Sequence, residues 1–135
     1  MSTPQLVEWF YADIWNAGDE NVARLLATDF VFRGSLGTPA RGHAEFLNYV
    51  RSVRDSLADY HCEVLECVTE HPKAFARMRF SGVHVAPFRG FAPTGMPVQW
   101  NGAALFTFRD DHISEVWVLG DLVSLEEVLR ENAQA

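Results

Sequence analysis

The sequence has few basic residues and lacks any long apolar run. Eleven lysines and arginines stand against eighteen aspartates and glutamates, so the net charge is −7. That charge argues against partners such as nucleic acid or an anionic membrane surface. No apolar run approaches the length of a membrane span, and the start, MSTPQLVEWF, lacks the basic and apolar regions of a signal peptide. We therefore expect a cytoplasmic protein that binds neither nucleic acid nor membrane.

Cysteine is also scarce, and the usual marks of metal and nucleotide sites are missing. Cys62 and Cys67 lie five apart on one predicted strand, an odd spacing that places them on opposite faces, so we expect two reduced thiols. No two histidines have metal-ligand spacing, and no glycine-rich phosphate loop follows a strand. We expect no metal and no cofactor. Ser35 and Ser81 lack the context of a hydrolase nucleophile.

Apolar residues, by contrast, are plentiful. The chain has 135 residues, of which 48% are hydrophobic, with ten phenylalanines and four tryptophans. This length suits one domain, spanning residues 1–135, with one core and an apolar cavity.

The residue pattern predicts helices in the first half of the chain and strands in the second. The hairpin signal RDDH, residues 109–112, joins the last two strands. The predicted elements are, in order, a helix from Thr3 that ends at Gly18, a short helix around Val22 to Leu26, a strand at 30–35, a helix at about 43–57, strands at about 60–70, 73–87, 98–109 and 113–123, and a helix at 124–130.

Helices followed by long hairpin-linked strands indicate an α+β fold. We expect a strongly curved, antiparallel or mixed sheet, with three N-terminal helices packed on its concave face. Such a cone has a natural ligand pocket in its interior. The uncovered convex face predicts a homodimer or tetramer.

Four segments carry a resemblance to a known family. They are WNAGD (15–19), GHAEF (42–46), FSGVHVAPFRGFAPTG (80–95) and ISEVWVLGD (113–121). In order and spacing the chain resembles the SnoaL-like polyketide cyclases, also called ester cyclases, of the NTF2-like (cystatin-like cone) superfamily. The resemblance implies intramolecular aldol-type ring closure of a small apolar, carbonyl-bearing, polyketide-like substrate. Many relatives carry Glu-His-Trp where this chain has Glu115-Val116-Trp117, so one polar contact is missing here.

Asp121 is the first candidate catalytic residue. The resemblance implies this role, because Asp121 falls where such cyclases carry their catalytic acid/base carboxylate. Asp121 shares strand parity with Trp117 and Leu119, which favours a carboxyl that faces an apolar cavity. Lost hydration would raise its pKa and suit it to proton transfer. The alternative is a solvated residue at the start of the last helix, although Ser124 is better placed as a cap.

His84 is the second candidate catalytic residue. It shares parity with Met78, Phe80 and Gly82, so it lies on the predicted inner face and could orient a carbonyl or bond Asp121. The alternative is a core histidine whose hydrogen bonds go to the backbone.

Aromatic residues on the helices and strands are candidates for the cavity wall and for substrate binding. The segment FRGFAPTG, residues 88–95, is expected to form an irregular rim over the cavity mouth. The candidates are Tyr11, Trp15, Phe46, Tyr49, Phe88, Phe91, Trp100, Phe106 and Trp117.

Two alternatives to a cyclase stay open. One is another chemistry on the same cone, such as isomerisation or epoxide hydrolysis. The latter would need an inward-facing arginine, whereas Arg77 and Arg79 have outward parity. The other is a non-catalytic ligand-binding or dimerisation module.

Overall fold

One curved six-stranded sheet and a few helices make up the structure, a computed structural model that describes residues 3–135. The strand order is β2-β1-β6-β5-β4-β3. β1 pairs with β6 in parallel and every other neighbouring pair is antiparallel. The elements are α1 (Gln5–Trp9), a π-helix (Phe10–Asn16), β1 (Leu26–Arg33), β2 (Ala40–Arg41), α2 (Gly42–Ser56), β3 (Leu57–Glu70), β4 (Lys73–His84), β5 (Pro97–Arg109), β6 (His112–Gly120) and α3 (Leu122–Gln134).

The core lies between the N-terminal helix and the inner face of the sheet. Phe10 stacks on Phe46 of α2 and meets Phe106 of β5 edge-on, with ring centroids 5.6 and 5.4 Å apart. All three side chains are completely buried. These aromatic contacts join helix to sheet and close one side of the interior.

The short second helix predicted around Val22 to Leu26 is wrong. Its apolar residues are buried, but they reach the core from consecutive turns. The carbonyl of Leu25 already accepts a hydrogen bond from the Ile113 amide of β6. The Leu26 amide bonds the Val22 carbonyl at 2.9 Å, so a single turn forms, and β1 begins at Leu26 before a second turn can follow.

The inner face of β6 also differs from the prediction. Trp117 and Leu119 do share a face, but they are 43% and 60% exposed, whereas Val116 is completely buried. The strand carries apolar residues on both faces, so the alternation of hydrophobic residues does not identify the buried face. Trp117 and Leu119 lie on the convex side of the sheet.

The two cysteines lie on the same face, not on opposite faces. The β3–β4 register shifts at Leu65, so Cys62 pairs with Phe80 and Cys67 pairs with Ala76, both of which point inward. One extra residue in a bulge reverses the parity of everything beyond it. Both thiols are free.

Candidate functional site

A small, partly open cavity reaches into the interior of the cone. Its volume is about 30 Å³. Its wall is mostly aromatic and includes Tyr11, Trp15, Phe32, Tyr49, Phe80 and Trp100. Such a wall suits a flat apolar ligand.

The π-helix places two of these side chains, Tyr11 and Trp15, on the cavity wall. Its wide turn is closed by a hydrogen bond from the Ala17 amide to the Ala12 carbonyl, at 3.0 Å. The Asn16 side chain donates to the Cys62 carbonyl (3.1 Å) and accepts from the Cys62 amide (2.7 Å), as a paired strand would. The Arg54 guanidinium donates to the Trp15 and Asn16 carbonyls. π-helical turns are frequent at functional sites, and this one is anchored at its end.

Two hydrogen-bond donors on the cavity wall are buried without a partner. The Tyr11 hydroxyl and the Trp100 indole Nε1 have no hydrogen bond to any of residues 3–135. Tyr11 and Trp100 are only 4% and 3% exposed. A buried donor without an acceptor costs stability, so such groups call for an explanation.

Burial raises the pKa of Tyr11 well above its ordinary value, and Cys62, Tyr60 and Cys67 add to the shift. The phenol therefore stays protonated over the physiological range and is able to donate. An indole N–H is a donor only. Each of the two groups therefore has a hydrogen available for an oxygen acceptor.

Tyr49 on the same wall behaves differently. Its hydroxyl accepts a hydrogen bond from the Leu36 amide, at 2.9 Å. Burial also raises the pKa of Tyr49. Tyr49 therefore closes the cavity toward the segment after β1. The Tyr11 hydroxyl, by contrast, has no hydrogen bond to any of residues 3–135.

Asp121 does not lie in this cavity, which corrects the prediction of a buried carboxyl with a raised pKa. It is the N-cap of α3, and its carboxylate accepts hydrogen bonds from the Ser124 amide (3.1 Å) and the Ser124 hydroxyl (2.8 Å). These two bonds lower the pKa of Asp121, which is exposed. The expectation that Ser124 is the cap is also wrong, because β6 ends at Gly120, three residues earlier than predicted, and α3 begins at Leu122.

The end of β6 nevertheless brings Asp121 close to the cavity. A Cβ built on Gly120 would lie 2.7 Å from the Ser35 hydroxyl oxygen and 3.4 Å from the Trp100 Nε1. A side chain at Gly120 would thus crowd the Ser35 hydroxyl where the strand passes the cavity mouth. Asp121 lines an open groove of about 720 Å³, and Trp100 borders both that groove and the cavity.

His84 is completely buried on the inner face of β4, as its parity predicts. Its Nδ1 lies 3.3 Å from the Thr94 hydroxyl, and its ring meets Phe88 at 6.3 Å between centroids. Its Nε2 has no hydrogen-bond partner in the described part of the chain. His84 lines neither the cavity nor the groove and has no hydrogen bond to Asp121.

The aromatic candidates divide into four groups. Tyr11, Trp15, Tyr49 and Trp100 line the cavity. Phe46 and Phe106 are fully buried core, and Trp117 is exposed on the convex face, so these three predicted positions on the cavity wall are wrong. Phe88 and Phe91 pair across a tight turn, and Phe88 packs 6.3 Å from Trp100. Residues 88–91 therefore form a tight turn beside the cavity, whereas residues 92–95 have the irregular structure that was predicted for the whole segment.

The sequence reasoning missed several wall residues. Tyr60 and Val118 both point inward, and the parity of their strands could have identified them once the buried face was known. Gly34, Ser35 and Leu36 follow β1 in a segment without regular structure. No periodic signal marks such a segment.

No group of three metal-ligating side chains occurs within residues 3–135. No helix there is long and apolar enough to cross a membrane. The polar chemistry of the cavity is thus that of phenol, indole and hydroxyl groups, next to a groove lined by the carboxylates of Asp59 and Asp121 and by Arg79.

Comparisons with solved structures show the same architecture over nearly the whole chain. TsrD from Streptomyces laurentii is 28% identical, with a TM-score of 0.81 and coverage of 93% of this chain and 92% of that one. IdmH from Streptomyces antibioticus, described as a candidate polyketide cyclase, is 25% identical, with a TM-score of 0.81 and coverage of 93% and 96%. A candidate SnoaL-like polyketide cyclase from Jannaschia sp. CCS1 is 17% identical, with a TM-score of 0.84 and coverage of 96% of both chains, and supports the fold alone.

No curated protein matches the sequence. The family model of the SnoaL-like polyketide cyclases, however, matches residues 5–129. That span contains every strand, the π-helix and the whole wall of the cavity. The chain therefore belongs to the SnoaL-like polyketide cyclase family, within the NTF2-like superfamily.

Proposed function

We propose that this protein is a cofactor-independent cyclase that closes a ring in a small apolar dicarbonyl compound by an aldol-type reaction. The observation that carries the proposal is the pair of buried, unpartnered donors, Tyr11 and Trp100, on one aromatic cavity. The family supports a cyclase. The donors suit an oxygen that gains negative charge during reaction.

In the proposed reaction the Tyr11 hydroxyl and the Trp100 N–H donate to the oxygen of one carbonyl group. Removal of a proton from the neighbouring carbon gives an enolate, whose oxygen these donors stabilise. The enolate carbon then forms a bond to the second carbonyl carbon. The resulting alkoxide takes up a proton to give a cyclic hydroxy-ketone. The aromatic wall holds the folded chain so that its ends meet.

Asp121 is the proposed proton acceptor, and it later returns the proton to the alkoxide. Its lowered pKa keeps the carboxylate ionised at neutral pH, and its bonds to Ser124 fix its orientation. Trp100 separates the carboxylate from the cavity, so the substrate must extend past this ring into the groove. His84 has no assigned step here, because it borders neither space.

A substrate must also displace side chains, because about 30 Å³ holds little more than a water molecule. The segment from Gly34 to Leu36 forms part of the wall and has no regular structure. The Leu36–Tyr49 hydrogen bond is its tie to α2. Breaking that bond would widen the cavity.

Heptane-2,6-dione provides a direct test, because its aldol closure and loss of water give a cyclic enone that absorbs in the ultraviolet. The wild-type protein should accelerate enone formation, and Tyr11→Phe should reduce the rate by about 10²-fold. Equal rates with wild-type protein, Tyr11→Phe and bovine serum albumin at matched concentration would contradict the proposal.

A second candidate is a ligand-binding module without catalysis. The observation that favours it is that no carboxylate, lysine, arginine or histidine among residues 3–135 lines the cavity, which is nearly filled by side chains. A protein of this kind would bind an aryl ketone such as butyrophenone through Tyr11 and Trp100 but would leave heptane-2,6-dione unchanged.

We also propose that the protein is a homodimer joined through the convex face of the sheet. Apolar side chains lie opposite one another on adjacent strands there: half-buried Leu105 pairs with exposed Phe75 on one side and exposed Trp117 on the other. Glu63 and Glu66 of β3 lie beside Arg79 and Arg77 of β4. A two-fold axis could set one copy's acidic strand against the other copy's basic strand.

A further inference from the structure

A second chamber adjoins the cavity. Its volume is about 340 Å³, and it shares Leu36 and Tyr49 with the cavity wall. The two spaces are thus separated by the hydrogen bond between the Leu36 amide and the Tyr49 hydroxyl. A ligand that displaces this partition would reach both.

The wall of the chamber includes a cationic side chain, that of Arg89, which lies in a strained turn. Phe88 and Phe91 exchange both backbone hydrogen bonds, which leaves Arg89 and Gly90 as the two central residues of a tight hairpin. Their φ angles are +53° and +83°. Positive φ at both positions is typical of a type I′ turn, where asparagine, aspartate or glycine is favoured. An arginine held in this conformation indicates a functional constraint.

The guanidinium of Arg89 is only partly neutralised. Its Nη2 donates to the Glu126 carboxylate of α3 at 3.0 Å, and its side chain is 24% exposed. Its Nε is buried and has no hydrogen-bond partner among residues 3–135. Glu126 therefore orients the group from one side and leaves N–H donors for another acceptor.

The other polar groups of the chamber suit an anion. Thr38 and Ser52 bring hydroxyl groups to its wall, whereas the Ser56 hydroxyl is already donated to the Pro87 carbonyl at 3.2 Å. No aspartate or glutamate from the described residues lines it.

We propose that this chamber binds a carboxylate of the substrate through Arg89, so that the natural substrate is a dicarbonyl compound that also bears a carboxylate. The inference rests on the proposed function, since the keto group occupies the cavity while the acid lies beyond Tyr49. Arginine recognises a carboxylate with two parallel hydrogen bonds, for which the N–H groups that do not bond Glu126 remain.

The test compares 4-oxo-4-phenylbutanoate with its methyl ester, by titration calorimetry on the full chain. The wild-type protein should bind the acid at least about 10-fold more tightly than the ester. Arg89→Gln should remove this preference and leave the ester affinity unchanged, while Arg89→Lys should keep part of it. The matched control is Arg51→Gln. It removes an exposed arginine of α2 that is paired with Glu20, and the variant should behave as wild type.

The outcomes separate this inference from the proposed function. If acid and ester bind equally well and Tyr11→Phe weakens both, the anion site is wrong and the carbonyl site stands. If Arg89→Gln removes the preference but Tyr11→Phe has no effect, the anion site stands and the proposed function is wrong. A preference that survives Arg89→Gln overturns the assignment to Arg89, and binding of neither compound at millimolar concentration overturns both.

Discussion

The interior cavity and the end of β6 hold the polar groups of this protein in opposite states. In the cavity, the Tyr11 hydroxyl and the Trp100 N–H are buried without partners. At the strand end, the Asp121 carboxylate is exposed and has two bonds to Ser124. Trp100 is the only side chain of these three that borders both spaces.

The difference shows how the environment, rather than residue type, sets what each group can do. Burial raises the pKa of Tyr11 and keeps it a donor, whereas hydrogen bonds in the open lower the pKa of Asp121 and keep it an acceptor. Stabilisation of charge is therefore the role of Tyr11, and proton transfer is the role of Asp121. Each of the following changes acts on one side of that comparison.

The largest expected effect comes from Asp121→Asn. Asparagine retains the N-cap but cannot accept a proton, so turnover of heptane-2,6-dione should fall by about 10²–10⁴-fold while ketone affinity is unchanged. Stopped-flow absorbance and calorimetry measure the two quantities. Asn101→Asp, at an exposed position on the same groove, is the control for a general change of charge. Unchanged turnover in Asp121→Asn would make Asp121 a cap only and favour the binding module.

The second-largest effect is expected from a substitution on the convex face of the sheet. Trp117→Glu places a charge in the apolar band and should convert a dimer to a monomer, with a dissociation constant raised by at least about 10-fold. Trp9→Glu is the control, because Trp9 is exposed to a similar extent, 37% against 43%, but lies on α1. Light scattering at micromolar concentration reports the mass. A wild-type monomer would refute the proposed interface.

The pH dependence should be flat between about pH 5 and pH 9. The pKa of Asp121 lies below its ordinary value near 4, so the acid limb falls below pH 4, and the raised pKa of Tyr11 keeps any basic limb above pH 10. By linkage, the contribution of Asp121 to stability is present above its unfolded pKa and is lost as pH falls through the folded one. The contribution of Tyr11 is present below pH 10 and is lost as pH rises. An acid limb near pH 6 would indicate a buried base instead.

The sequence predicts β4 and α2 well because most of the apolar residues of each element lie on one face. β4 alternates buried residues such as Met78 and Phe80 with exposed Arg77 and Arg79, so its inner face and the burial of His84 follow directly. β6 has apolar side chains on both faces, and the assignment of Trp117 and Asp121 to the interior failed for that reason. The bulge at Leu65 and the π-helix leave no mark in the periodicity, so the shared face of the cysteines could not be predicted.

Four of the predicted aromatic residues do line the cavity, because helical spacing and strand parity locate Tyr11 and Trp100. Their missing hydrogen bonds could not be predicted, because they depend on every neighbour within reach in three dimensions. The same holds for Arg89. Its turn was predicted only as irregular, since arginine is not a residue that signals a type I′ hairpin.

The central claim is that Tyr11 holds an unsatisfied hydroxyl for a ligand, and the most direct measurement is the stability and affinity of one variant. Tyr11→Phe should raise the free energy of unfolding by about 1 kcal/mol, because a buried donor without a partner is removed, and should weaken butyrophenone binding by about 10-fold. Tyr49→Phe is the matched control on the same wall. It removes the acceptor of the Leu36 amide and should lower stability by about 1 kcal/mol. A Tyr11→Phe protein that is less stable than wild type, with unchanged affinity, would contradict the account.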